Sequence, residues 1–280
     1  MWLIYSLFSA VFQTGDNLIS KKLLRTRNEV LLAFVTSSMT ALMLLPYILL
    51  TGIPKIGPNF LFSFVITAVI NTVTTVIVYR AFRLTELSLA VPLLGLSPVF
   101  LLLTSPLIIH EFPSFIGLIG VLIIFLGTFL LNYKGKVSFK PFTEVLRNPG
   151  QRLIVLACFL WAISTNFYKI GMQNSSPMFF TFAISIFISL ALLPFLRPRD
   201  FAVGPKASKG LLALGVVSGL SSIFEWLGVN ANLAVYTLAV RRLSLLLTAI
   251  GSYYFFKEKH FTTRVMATVL MIAGVILIAI

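Results

Sequence analysis

Two adjacent arginines, Arg241 and Arg242, stand inside a run that is otherwise apolar enough to cross a lipid bilayer. Counted from a helix start near Val235, Arg241 lies ~9 Å along the helix at 1.5 Å per residue. A charge near the centre of a membrane helix costs about 2.5–3.5 kcal/mol on insertion scales. Such a residue needs water, a partner or a ligand. Glu225, at the end of the preceding apolar run, is the candidate partner. Two roles stand open. Arg241 pairs with Glu225 to hold two helices together while Arg242 reaches the interface, or the arginines grip an anionic ligand. Lys169 adds a third cation at similar depth. Three cations against one glutamate favour a carboxylate or phosphate, which Arg holds bidentately. Glu225 would then take an ammonium or a coupling proton.

Helical spacing groups the polar residues around these charges. Ser218, Ser221, Ser222 and Glu225 fall at i, i+3, i+4 and i+7, one helix face. Arg241, Ser244, Thr248 and Ser252 form another. Asn71, Thr74, Thr75 and Tyr79 form a third, and Ser9, Gln13, Asp16, Asn17 and Ser20 a fourth. A fifth carries Trp161, Thr165, Tyr168 and Lys169, with Asn166 alongside. A lone Ser or Thr in such a helix usually serves packing, worth about 0.6 kcal/mol. The charged members tip these stripes toward a shared wet cavity. The candidate substrate-binding set is Arg241, Glu225, Lys169, Asn71, Thr75, Ser222, Ser244, Asn166 and Tyr168. Trp226 is read as part of an interfacial aromatic belt.

The elements that must position these groups are membrane helices. The 280 residues are 58% hydrophobic and 11% charged, with mean hydropathy +1.00. A soluble domain carries about 25% charged residues. About ten runs approach the ~20 residues a bilayer requires: 2–20, 30–51, 59–82, 87–109, 112–133, 153–172, 178–196, 211–230, 235–256 and 261–280. They lack the alternation of a barrel, so the spans are helical. The first run has no basic leader and no small-residue cleavage site, and reads as a span, not a signal peptide. One cysteine and two distant histidines give no disulfide framework or metal cluster. No cofactor is expected.

The net charge of +14 gathers in the loops after the first, third, fifth, seventh and ninth runs, while the opposite side holds Lys55 alone. The positive-inside rule makes the first side cytoplasmic and leaves both termini outside. A prokaryotic inner membrane is the expected location. Nucleic acid is not an expected partner. The bilayer, a small-molecule substrate and a coupling proton or counter-substrate are, with a monomer or homodimer as the assembly.

The chain repeats itself. Leu96, Ser97, Ser105 and Glu111 match Leu243, Ser244, Ser252 and Glu258 at one offset, 258 − 111 = 147. Gly127 and Gly274 keep the same register, as do Tyr79 and Trp226. Five spans per half is an odd number, so the second half enters the membrane from the other side. That inverted repeat typifies many secondary transporters, with a midplane site between the halves. The expected units are 1–133, a cytoplasmic linker 134–151, and 152–280. Pro92, Pro98 and Pro106 interrupt the fourth run, whereas the ninth has no proline. A kinked or broken helix is therefore expected in the first half.

These residues carry a family resemblance. AVPLLGLSPVFLLLTSPLIIHE followed by GLIGVLIIFLGTFLL resembles the fourth and fifth helices of an EamA-type repeat. VRRLSLLLTAIGSYYFFKEK followed by VLMIAGVIL resembles the ninth and tenth, and WAISTNFYKIG the sixth. The chain is thus similar to the ten-helix EamA branch of the drug/metabolite transporter superfamily, most strongly over 87–132 and 226–280. The resemblance implies an all-α integral membrane fold of two inverted five-helix repeats. It also implies a central cavity lined mainly by helices 3, 4, 8 and 9. Relatives are usually drawn with cytoplasmic termini, against the charge pattern here.

The expected function is secondary transport of a small polar or amphipathic metabolite, amino-acid-like or anionic, by alternating access. Efflux of lipophilic cations is the alternative, opposed by the Arg/Lys excess, and carriage of lipid-linked phosphates is another. A membrane enzyme would want acid pairs, histidines or a metal, and the eight acids lie mostly in loops.

Overall fold

The computed structural model describes residues 1–85, 93–130, 148–201, 205–248 and 261–279. Its main helices, in chain order, are α1 Trp2–Leu23, α2 Glu29–Thr51, α3 Phe60–Leu84, α4 Leu96–Ile108, α5 Phe115–Leu130, α6 Pro149–Gln173, α7 Pro177–Leu192, α8 Pro205–Ala231, α9 Ala234–Arg241 and α10 Phe261–Ala279. Among the described residues there is no strand. Ser252, Glu258, Pro92 and most of the expected linker lie outside the described residues.

Local chemistry sets the helix starts. The Asn28 side chain accepts from Leu31 N at 2.6 Å and caps α2. Asn148 caps α6 by accepting from Gly150 N and Gln151 N, with Pro149 in the first turn. Ser176 does the same for α7, with Pro177 following. Each cap satisfies amide groups that the helix leaves free, and proline's missing N–H is harmless there.

The bundle is all-α and spans a membrane. Among the described residues five helices are long and apolar enough to cross one: Glu29–Thr51, Phe60–Leu84, Pro149–Gln173, Pro177–Phe195 and Ser208–Ala231. Leu96–Ile108, Phe115–Gly127 and Val269–Ile278 are shorter apolar helices. α1 is 22 residues long but carries its polar stripe inward: Ser9, Asp16, Asn17 and Ser20 are buried. Ile4, Leu7, Phe8 and Val11, at i, i+3, i+4 and i+7, are exposed. That inversion of the soluble amphipathic pattern suits a helix with lipid on one side and a polar cavity on the other.

The repeats interlock. α1 packs on α8, and its mirror is α6 on α3. α2 meets α7, α4 meets α9 and α5 meets α10. This exchange of partners is what two inverted five-helix units produce about a pseudo-two-fold axis.

One expectation about helix continuity is corrected. The ninth run was expected to be one helix over 235–256. Instead α9 ends at Arg241, a turn follows at Arg242, and helix resumes over 243–248. The break closes with short i→i−3 bonds, Arg242 N to Ala239 O at 3.0 Å and Leu245 N to Arg242 O at 2.9 Å. The fourth run breaks too, at Gly95. Pro98 has no N–H to offer Leu94 O. That carbonyl accepts instead from Ser97 Oγ at 3.3 Å and Cys158 Sγ at 3.9 Å. The two turns fall at the repeat offset, 242 − 95 = 147. A broken helix was expected in one half, and both halves contain one.

α5 and α10 cross at Gly120 and Gly274. A Cβ built on Gly274 would sit 2.7 Å from Gly120 O, and the reverse holds at the same distance. Neither obstruction is a movable side chain. Gly274→Ala is therefore expected to destabilise the protein by about 1–3 kcal/mol, read as a lower melting temperature in detergent. An unchanged melt would mean that the two helices separate freely.

Candidate functional site

A cavity of ≈ 200 Å³ lies in the centre of the bundle. Its wall draws on both repeats: Gln13, Asp16 and Asn17 from α1; Thr36, Ser37 and Thr40 from α2; Asn71, Thr75 and Tyr79 from α3; Trp161, Thr165 and Tyr168 from α6; Thr181 and Ser185 from α7; Ser218, Ser222, Glu225 and Trp226 from α8; and Arg241, Arg242 and Ser244 at the second helix break. Leu94 reaches it from the first break.

Of the nine residues selected from sequence, seven line this cavity: Arg241, Glu225, Asn71, Thr75, Ser222, Ser244 and Tyr168. Asn166 does not. It is fully buried, accepts from Ser105 Oγ at 2.8 Å, and donates to Thr104 Oγ1 at 3.0 Å and Ala162 O at 2.9 Å. Its amide is spent joining α6 to α4. Lys169 is also absent from the wall. Its ammonium pairs with the Glu111 carboxylate and donates to Asn232 O. The reason is helical register. Trp161, Thr165 and Tyr168 share one face of α6, while Asn166 and Lys169 are rotated by about 100° onto the next. Trp226 is corrected in the other direction. It lines the cavity wall, where it stacks on Tyr168 with centroids 3.4 Å apart and rings within 3° of parallel. α2 and α7, which sequence reasoning left out of the wall, both line it. Their signal was there, Thr36 and Thr40 at i, i+4 and Thr181 and Ser185 likewise.

The two arginines do different things. Arg241 pairs with Glu225 through Nη1, and its Nη2 donates to Gln13 Oε1 and to Ser221 Oγ at 3.4 Å. One guanidinium thus ties its own helix to α8 and α1. Arg242 does not reach the interface, the alternative weighed from sequence. It is 5% exposed, and its Nη2 donates to Ser97 Oγ across the repeat boundary. Among the described residues its Nε has no hydrogen-bond partner, like that of Arg241, and neither does the buried Ser244 Oγ two residues on. Asp16, 8% exposed, accepts from Ser218 Oγ. Among the described residues neither Arg242 nor Asp16 has an ion-pair partner. Neither is in direct contact there with an opposite charge, although Glu225 acts electrostatically on Arg242 and Arg241 on Asp16.

A ring of polar contacts joins the halves at one end of the bundle. Besides Lys169, Glu111 takes a hydrogen bond from Ala234 N at 3.3 Å. Tyr236 Oη accepts from Ser114 N at 3.0 Å.

Interlocked inverted repeats around a polar cavity, with a helix break at matched positions in each half, define a membrane transporter. The chain belongs to the EamA-like transporter family, whose model matches residues 1–133 and 148–280. It is thereby a multi-pass membrane protein of the drug/metabolite transporter type. A search of the curated proteins found no match. Among solved structures, a crystal structure 14% identical in sequence superposes with a TM-score of 0.75, covering 99% of this chain and 95% of its own. That likeness shows the fold.

Proposed function

We propose that the protein is a secondary transporter carrying a small polar or amphipathic metabolite, amino-acid-like or anionic, by alternating access. The observation that carries this reading is a polar cavity shared by the two repeats with a guanidinium, Arg242, that forms no direct ion pair with a carboxylate among the described residues. Binding is favoured where a ligand supplies the missing counter-charge. The repeats would rock about the cavity, exposing it first to one side and then to the other. A proton or counter-substrate would drive the cycle, and Glu225 and Asp16 are carboxylates facing the cavity. The basic loops support a topology with both termini outside, in a prokaryotic inner membrane. A monomer contains the whole cavity.

Asp16, without a cation partner among the described residues, is the one observation favouring efflux of lipophilic cations. Proteoliposomes separate the readings. Labelled amino acids or organic acids are expected to accumulate above protein-free vesicles. Uptake confined to lipophilic cations would replace this proposal with efflux.

A further inference from the structure

We infer that Arg242, and not Arg241, is the residue that receives the substrate's carboxylate, and that Asp16 receives its ammonium. This assignment rests on the transporter reading above and goes one step further, to the two residues that set specificity.

The guanidinium groups are distinguished by what already holds them. Both terminal nitrogens of Arg241 are committed to the protein: Nη1 to Glu225, Nη2 to Gln13 and Ser221. A ligand carboxylate arriving there meets the charge of Glu225. Among the described residues the Nε of each arginine is unpartnered, but the Arg242 side chain has one hydrogen bond, from Nη2 to the neutral hydroxyl of Ser97, and no ion pair. It is buried and lines the cavity. A buried cation satisfied only by a serine gains most from a ligand that is itself charged. Ser97 then acts as a stand-in that a carboxylate displaces. Ser244 Oγ, two residues on and unpartnered, is a second donor for the same group.

Asp16 supplies the opposite pole. It shares the cavity wall with Arg242, and it is held there by the hydroxyl of Ser218. α1 reaches the second helix break directly, Thr14 Oγ1 donating to Ser244 O at 3.3 Å. A carboxylate without an ammonium would leave Asp16 without a direct ion pair, and an amine without a carboxylate would do the same to Arg242. Apolar residues such as Val78, Ile184 and Leu245 complete the wall and suit an apolar substituent.

The test uses purified protein and two sets of probes: leucine, 4-methylpentanoate and 3-methylbutylamine, then phenylalanine, 3-phenylpropionate and phenethylamine. Titration calorimetry is expected to rank each amino acid about tenfold or more above its two single-charge analogues, because each analogue forgoes one charge-assisted hydrogen bond. Arg242→Gln should bring the amino acid down to the amine, and Asp16→Asn should bring it down to the acid. Unchanged amino-acid affinity in Arg242→Gln overturns the assignment. So does an amine or acid that binds wild type as tightly as the amino acid. Should Arg242→Gln fail to fold, Ser97→Ala decides. Removing the competing hydroxyl should tighten carboxylate binding severalfold, whereas unaltered affinity means that Arg242 serves structure alone. If none of the six probes binds while proteoliposomes accumulate another solute, the assignment falls and the transporter reading stands. Absence of uptake for every solute tells against the transporter reading itself.

Discussion

Arg241→Ala is expected to lower the stability of the folded protein by about 3–5 kcal/mol, the scale for a buried ion pair that loses one partner. Glu225 is 7% exposed, and its carboxylate would be left in the bundle without its cation. Gln13 Oε1 and Ser221 Oγ would each lose a donor in the same step. The loss comes from desolvated groups left behind more than from the attraction removed. The double variant Arg241→Met/Glu225→Leu should therefore recover most of the stability, because replacing both members of a buried pair is often neutral. Thermal unfolding of wild type, both single variants and the double variant closes the cycle. If the double variant is no more stable than Arg241→Ala, the pair does not act as a unit and the wall of the cavity is held by other interactions.

Lys169→Met is the second large effect. Lys169 joins α6 to Glu111, beyond the end of α4, and to Asn232, in the connection between α8 and α9. These segments belong to different halves, and they must part if that end of the bundle is to open. Lys169 is 5% exposed, so the pair is shielded from screening. Losing it should shift the population toward a form open at this end by about tenfold, which corresponds to about 1.4 kcal/mol. The readout is reaction of a cysteine at Ser222 with an impermeant maleimide, in a background where the buried Cys158 is replaced. Labelling should rise from the side on which Asn232 lies. Lys22 stands at the repeat offset from Lys169, 169 − 22 = 147, and is exposed at the end of α1. Lys22→Met should leave labelling from the Asn232 side unchanged or lower it. Equal labelling in wild type and Lys169→Met would show that the ion pair does not hold this end closed.

Much of the architecture was legible because membrane helices announce themselves by length and polarity. The inverted repeat was legible because Glu111 and Glu258 share a register with several polar residues, and apolar matches alone would have meant little. The seven expected residues that line the cavity came from stripes of polar side chains at helical spacing, most of them anchored by a charge. Where the cavity wall differs from the expected set, the cause is geometric. Asn166 and Lys169 follow Thr165 and Tyr168 by one residue each, and a single step around a helix separates the cavity from the α4 interface. Thr36, Thr40, Thr181 and Ser185 carry no charge, and hydroxyls with internal helix partners look alike whether they face water or another helix. Thr40 Oγ1, for example, donates to Thr36 O at 2.8 Å while its residue lines the cavity. The break at Arg242 contains no proline, so nothing in its composition marks it. Only its register with Gly95 does.

The matched breaks at Gly95 and Arg242 bear on the energy landscape. In a molecule of two like halves, exchanging the conformations of the halves turns one end state into the other. For identical halves those states would be degenerate, equally populated, with no preferred resting form. Here the same backbone position holds the smallest side chain in one half and a long cation in the other. Unlike residues at such matched positions would supply a bias between the two states. On the proposed alternating-access cycle, the resting form and the ease of running in either direction would then be set by unlike side chains at matched positions such as this one, and could be re-tuned without touching the scaffold.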